Sequence, residues 1–322
     1  MEQNKLERRL VQAWPAFYQV ATSAQLAEAG FGERVLATAL DRRLVFRLRK
    51  GAYVRAAHWA ALKPWDKDKL RILAHIMTVR GEPVYSYFTA ARLHGLFIWN
   101  SDARIHVTGA SASSGTSGAR DVVQHHEAVP VTDSHSLLLR TGMSVTVTTL
   151  ERTVVDCARA GGFAEAVIIG DHALSKGARM AVMLALVDSM PGRRGVRKAR
   201  RVLRSLDGLS ESPGESRTRL IIAGMAIDQP VLQKELLAGG RIYRPDFLWE
   251  RQKLIVEFDG DIKYFAYERT DKVILEERKR EKRLMELGWR FVRLEWKDLA
   301  NQQEMKRRIL AMYNAPFLAA VA

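Results

Sequence analysis

The chain has 322 residues, 47% of them apolar, which suffices for real cores and excludes global disorder. Its 51 Lys and Arg outweigh 36 Asp and Glu, and a formal net charge of +15 points to a polyanionic partner, nucleic acid ahead of an anionic membrane surface. A single cysteine, Cys157, excludes an internal disulfide and any multi-cysteine zinc cluster. Lys5, Arg8 and Arg9 interrupt residues 1–20, which lack the apolar core of a signal peptide. The apolar run 181–187 is too short to span a bilayer, so the expected location is the cytoplasm.

Residues 4–20 predict a helix with Leu6, Leu10, Val11, Trp14, Phe17 and Tyr18 on one stripe, weakened or ended by Pro15. Thr22 or Ser23 caps a short helix that stops near Gly30. A tight turn at Phe31 and Gly32 leads to a second helix, 33–42, with Val35, Leu36, Ala39 and Leu40 inward. Strands 44–48 and 52–55 follow, joined at Lys50 and Gly51. Helix, turn, helix and small hairpin is the order of a winged helix-turn-helix, whose second helix enters the major groove. Arg34, Arg42 and Arg43, with Arg47, Arg49 and Lys50 in the wing, then lie near phosphates. Thr38 and Arg42 are the candidates for base contacts.

Residues 65–80 predict an amphipathic helix. Ser86 caps a helix over 87–94 that stops at Gly95, and 104–109 reads as a strand. The Gly/Ser-rich stretch 109–118 reads as an exposed, flexible loop, 121–126 and 144–148 as strands, and 150–160 and 163–175 as helices. His94, His106, His125, His126, His135 and His172 show no metal-ligand spacing on a helix, so they read as isolated polar or packed residues. Residues 193–206 put Val196, Ala199, Leu203 and Leu206 on one helical face. Arg193, Arg194, Arg197, Lys198, Arg200, Arg201 and Arg204 cover the rest with no acid in the segment, which reads as a phosphate-contacting helix.

The most informative stretch is 241–261. Strands 242–249 and 253–258, folded at Arg251 and Gln252, place Asp246 opposite Glu257. Alternation puts Leu248, Ile255 and Asp259 on the acid face and Phe247, Trp249, Leu254, Val256 and Phe258 on the other. Converging carboxylates repel, and Mg²⁺ with its oxygen ligands removes the repulsion. Such a site suits phosphodiester hydrolysis.

From residue 207 the order is helix 213–223, strand 231–236, a turn at Gly239 and Gly240, the two strands above, helix 270–287, strand 289–294 and helix 297–313. An αβββαβ core with acids on its second and third strands resembles the restriction-endonuclease-like PD-(D/E)XK fold, and more closely the very-short-patch-repair endonucleases. The marks are Ser212, Pro213, Gly214, Glu215, Ser216 and Arg219; Arg244, Pro245, Asp246 and Phe247; and Val256, Glu257, Phe258, Asp259 and Gly260. Lys263, Tyr264, Lys279, Arg280, Glu281, Leu284, Gly288, Trp289, Val292 and Arg293 complete them, over roughly residues 207–300. The resemblance implies metal-dependent DNA cleavage. Asp246 and Glu257 would hold Mg²⁺, with Mn²⁺ as substitute; Glu215 would complete the metal site and Asp259 add a ligand. Asp259 stands where the family pattern has Lys, and Lys263 would supply that cation. Gln233 is a further site member, and Arg280 and Arg283 would reach the scissile phosphate, unless 276–283 is only a salt-bridged exposed face.

Residues 20–180 resemble, more loosely, the AbiEi-type antitoxin proteins of bacterial abortive-infection systems. The likeness rests on 22–55, on SYFTAARLHGL (86–96) and on VTTLERTVVDCA (147–158). It implies promoter binding by the winged helix, an antitoxin-like regulator as the alternative to an endonuclease, and a cognate toxin or self-association beside DNA as partners. The expected whole is an α/β multidomain chain: a winged helix-turn-helix over 1–80, an α+β middle domain with the basic helix over 81–206, and a nuclease-like domain over 207–322.

Overall fold

A computed structural model of the chain describes residues 2–14, 19–109, 120–260 and 271–316. The architecture is mixed α/β, and the chain divides into two compact units, Met1–Leu96 with Asn100–Cys157, and Phe97–Trp99 with Ala158–Ala322.

The first unit opens with α1 (Glu2–Ala13), β1 (Val20–Thr22), α2 (Ser23–Glu28), α3 (Glu33–Asp41), β2 (Val45–Arg49), β3 (Ala52–Arg55), α4 (Ala56–Ala61) and α5 (Pro64–Thr78). α1 ends two residues before Pro15, since the residue preceding a proline is pushed out of the helical region. Phe17 and Tyr18, expected on its stripe, lie outside the described residues. α2 starts in a reciprocal cap: Thr22 Oγ1 accepts from the Gln25 amide at 3.2 Å while Gln25 Oε1 accepts from the Thr22 amide at 2.9 Å. The three antiparallel strands run in the order β1-β3-β2, with Val20 opposite Val54 and Val45 opposite Arg55. Leu10, Trp14, Leu26, Phe31, Leu36, Val45 and Tyr53 close the core beneath α2 and α3, and Ala74 of α5 packs with Val20 and Ala52.

A five-stranded sheet completes this unit. Its members are β4 (Val84–Tyr85), β5 (Ile105–Thr108), β6 (Val122–His125), β7 (Ser134–Leu138) and β8 (Ser144–Thr148), in the order β6-β5-β4-β8-β7. α6 (Tyr87–Leu93) follows β4, and α7 (Leu150–Ala160) follows β8. β7 was not expected, because Ser134, His135 and Ser136 give an edge strand no apolar alternation. Buried Arg152 on α7 binds Asp156 (3.0 Å), Asp133 (3.1 Å) and Glu127 (3.3 Å).

The second unit holds α8 (Phe163–Ser175), α9 (Met180–Asp188), α10 (Val196–Leu203), α11 (Pro213–Ala223), β9 (Val231–Leu232), β10 (Leu236–Ala238), β11 (Arg241–Tyr243), β12 (Phe247–Trp249) and β13 (Leu254–Phe258), then α12 (Asp271–Glu286), β14 (Arg290–Leu294), α13 (Trp296–Ala300) and α14 (Gln302–Asn314). Its main sheet runs β14-β13-β12-β9, with β13 and β14 parallel, while β10 and β11 form a separate hairpin. The expected strand 242–249 is thus two strands in two sheets. Pro245 has no N–H to give a ladder, and the chain bends around it. The expected strand 231–236 likewise splits at Gln233, whose φ is +50°. The register between β12 and β13 is the expected one, Phe247 opposite Val256 and Trp249 opposite Leu254. Phe247, Trp249, Leu254, Val256 and Phe258 pack against Ile222 of α11, Leu299 and Ile309. Leu248 and Ile255 face the other way, onto Ala238, Tyr243 and Leu284.

Packing groups residues 158–206 with this sheet, where the sequence had set a boundary at 206. The reason is Asp171 of α8, fully buried. Its Oδ2 accepts from Ser216 Oγ at 2.7 Å and Arg219 Nη2 at 2.8 Å, and its Oδ1 from the Asp207 amide at 2.8 Å. Ser216 and Arg219 therefore dock α11 on α8. Phe97 and Trp99 belong here too: the Phe97 amide donates to His172 Nδ1 at 2.8 Å, and Trp99 stacks on Trp296 at 4.6 Å. Asp171→Ala leaves Arg219 without its buried partner, so stability falls by about 3–5 kcal/mol, read as a lower urea midpoint; Arg219→Ala falls by a similar amount.

Candidate functional site

Glu215 sits in the first turn of α11. Ser212 caps that turn, its Oγ accepting from the Glu215 amide at 3.1 Å, and Pro213 supplies a helical φ at the first position. Gly214 lets the turn rest on β13: a Cβ there would stand 1.9 Å from the Phe258 ring. The Glu215 side chain is 7% exposed and folds back, its Oε2 accepting from the Glu211 amide at 2.8 Å.

Asp246 enters from the bend between β11 and β12. Its Oδ2 accepts from the Phe258 amide at 2.8 Å. Its Oδ1 accepts from Gln233 Nε2 at 3.2 Å, and the same nitrogen donates to Glu215 Oε2 at 3.3 Å. One amide thus spans both carboxylates. Gln233 reaches them from a left-handed backbone conformation that costs a non-glycine residue on the order of 1 kcal/mol, and strain of this kind gathers at functional sites. Burial, then the charge of Asp246, pushes the Glu215 carboxyl up to about 7. Burial also raises Asp246, against the opposing hydrogen bonds from Phe258 and Gln233.

Glu257 and Asp259 are paired with arginines, and the charge of Arg280 also reaches Asp246. Arg280 of α12 holds Glu257 Oε1 through Nη2. Arg293, opposite Glu257 on parallel β14, lies 3.7 Å from its Oε2, 3.1 Å from Asp259 Oδ2 and 3.0 Å from Glu281 Oε2. One amide therefore bridges Asp246 to Glu215, while Glu257, on the neighbouring strand, is held by arginines. The register is right, but α12 and β14 bring arginines over Glu257 that the hairpin pattern does not reveal. Among the described residues no group of three His, Cys, Asp or Glu is arranged to hold a metal ion. Lys263 lies outside the described residues. Glu215 and Asp246 are carboxylate oxygen donors of the kind Mg²⁺ takes; Glu257 fits only without Arg280. Arg283 reaches the Tyr243 hydroxyl at 3.5 Å.

In the first unit, Arg34, Arg42, Arg43, Arg47 and Lys50 are exposed along α3 and the β2–β3 turn. Arg49 is not: it turns inward, 3.5 Å from Asp121. Thr38 bonds back to the Arg34 carbonyl at 2.9 Å. Around α10, Arg193, Arg197 and Arg204 are exposed. Arg200 pairs with Asp188 at 3.0 Å, Lys198 donates to the Gly161 carbonyl at 2.6 Å, and Arg201 lies 4.5 Å from the Phe163 ring centre. The absence of acids within the segment did not extend to its fold neighbours. The histidines are less isolated than their spacing suggested. His106 Nδ1 and His125 Nε2 are 2.9 Å apart, and Tyr87 stacks on His125 at 3.6 Å.

No family model matches the chain. Two uncharacterized proteins of Mycobacterium tuberculosis, MT2308 of strain CDC 1551 / Oshkosh and Rv2248 of strain ATCC 25618 / H37Rv, are each 35% identical to it over 102 residues. That match spans 31% of this chain and 36% of each relative, so the chain covers about a third of their length. The crystal structure of the RV2827C protein from Mycobacterium tuberculosis is similar over 74% of this chain and 88% of that one, with 16% identity and a TM-score of 0.39. Among the described residues no helix is long and apolar enough to cross a membrane.

The raised Glu215 pKa gives a signed expectation. The folded state keeps this proton between about pH 4.5 and 7 while the unfolded state loses it, so stability falls as pH rises through that window. Buried His75 and His106 and half-buried His172 act oppositely: with pKa values lowered to about 3, 4 and 4, their contribution is complete above 6.5 and lost as pH falls. The difference between wild type and Glu215→Gln isolates the carboxylate. Melting curves should show the variant gaining on wild type from pH 5 to 8.

Proposed function

We propose that the chain is a Mg²⁺-dependent DNA endonuclease whose catalytic centre lies at Glu215 and Asp246, and that its N-terminal part is a winged helix-turn-helix that carries it to DNA. The observation that carries this reading is the buried pair of carboxylates spanned by Gln233 at the end of a mixed sheet. The order of elements from α11 to α14 and the resemblance marks around Glu215, Asp246 and Glu257 support it, as does the +15 charge.

Glu215 and Asp246 would hold the cation, with Gln233 orienting them. A bound Mg²⁺ would supply a water of lowered pKa and stabilise charge on the phosphate. The Phe258 amide fixes Asp246 Oδ2, and Oδ1 is the oxygen bridged by Gln233 toward Glu215. Arg34, Arg42, Arg43, Arg47 and Lys50 would meet the duplex backbone. With supercoiled plasmid and Mg²⁺ or Mn²⁺, wild type should nick. Asp246→Ala and Glu215→Ala should each lose about a hundredfold or more in rate, the scale of removing a main source of transition-state charge stabilisation. Unchanged nicking in both variants sinks the assignment.

The arginine bridges on Glu257 and Asp259 favour a second reading: an antitoxin-like DNA-binding regulator whose nuclease-like domain is inactive, with a cognate toxin or a second copy of the chain as further partner. It expects a gel shift of the chain's own upstream DNA that survives EDTA and weakens in Arg42→Ala and Arg43→Ala. Each lost phosphate contact should reduce the salt slope by about 0.9 log unit.

A further inference from the structure

Three carboxylates, Glu257, Asp259 and Glu281, surround two guanidiniums, Arg280 and Arg293. Arg293 is shared among all three acids, whereas the ion pair of Arg280 is with Glu257. Arg280 is also the more accessible partner: its side chain is 28% exposed against 14% for Glu257. Its guanidinium carbon lies 5.6 Å from the Tyr243 ring centre, so an aromatic face flanks it. Of Arg280 and Glu257, the arginine is the more open to a phosphate in solvent. Guanidinium binds phosphate in the same forked geometry as carboxylate, so the exchange needs no new kind of bond. Once Arg280 leaves, Glu257 loses that counter-charge, and a divalent cation restores it.

We propose that Arg280 is an exchangeable counter-ion: without DNA it neutralises Glu257, and a backbone phosphate of bound DNA draws it away and opens Glu257 to the divalent cation. This rests on the endonuclease reading. It makes Arg280 a positioning residue that couples two binding events, so that DNA tightens the cation and the cation tightens DNA by the same factor. It also accounts for arginines standing on a proposed ligand: they occupy it until substrate arrives.

The test is Mn²⁺ binding to the full chain, followed by electron paramagnetic resonance with and without a short DNA duplex, the duplex-only signal subtracted. For wild type, the duplex should raise Mn²⁺ affinity by about tenfold or more, within the usual range of coupling energies. Arg280→Ala should show the tighter affinity without DNA and gain little from it. Arg280→Lys, which keeps the charge but not the fork, should retain part of the coupling. Glu257→Gln should remove the coupling with Arg280 intact, which keeps the question open to measurement if Arg280→Ala does not fold. The exchange is overturned if wild-type affinity ignores DNA, or if folded Arg280→Ala binds Mn²⁺ no more tightly than wild type. Asp246→Ala separates the two levels. Mn²⁺ binding that depends on Asp246 but not on Arg280 removes the exchange alone. Binding indifferent to Asp246 in every form removes the metal site and the exchange with it.

Discussion

Two acids that repel each other are kept adjacent and nearly dry, and much of the second unit serves to hold them there. Glu215 is fixed by helix capping and by the flat contact between Gly214 and Phe258. Asp246 is fixed by a backbone amide of the neighbouring strand. Gln233, in a costly backbone conformation, closes the gap with one nitrogen. None of these contacts is replaceable by apolar packing, because each answers a specific unpaired oxygen or a specific lack of space. α11 is in turn held by Asp171, so the site's position depends on a helix well outside the sheet.

Charge elsewhere is managed by local neutralisation. Arg152 gathers three acids in the first unit, and Arg293 gathers three in the second. Other cations stay exposed, along α3, β2, the β2–β3 turn and α10. Much of the +15 net charge is thus not spread evenly over the surface, and the exposed cations gather on a few elements. Arg49 and Arg200 illustrate the difference: both are arginines in basic segments, and both turn to an acid distant in sequence.

The sequence made the β12–β13 register legible, since both strands alternate cleanly and a one-residue slip would bury every acid-face side chain on the wrong side. Glu215 entered only through the family resemblance, on the Ser-Pro-Gly-Glu start of a helix. Three kinds of feature were hidden. Positive φ at Gln233 leaves no mark in composition, so the split of the strand there could not be read. β7 is a polar edge strand and β1 has three residues, both too weak for a periodic signal. The arginine partners of Glu257 come from a helix and a strand 23 and 36 residues further on, and only the packed chain brings them together. The pairing of His106 with His125 was invisible for the same reason, since it arises from parallel β5 and β6.

The excursion of Phe97 and Trp99 has a topological consequence. These residues lie in the middle of the first unit's sequence but pack into the second, on His172 and Trp296. No single cut in the chain therefore yields two whole halves. A fragment that begins at Ala158 lacks the indole that stacks on Trp296, and one that stops at Cys157 displays that indole and a phenyl ring to water. The second unit is thus discontinuous in sequence, and its three-residue outlier is lost from any fragment cut at the main boundary.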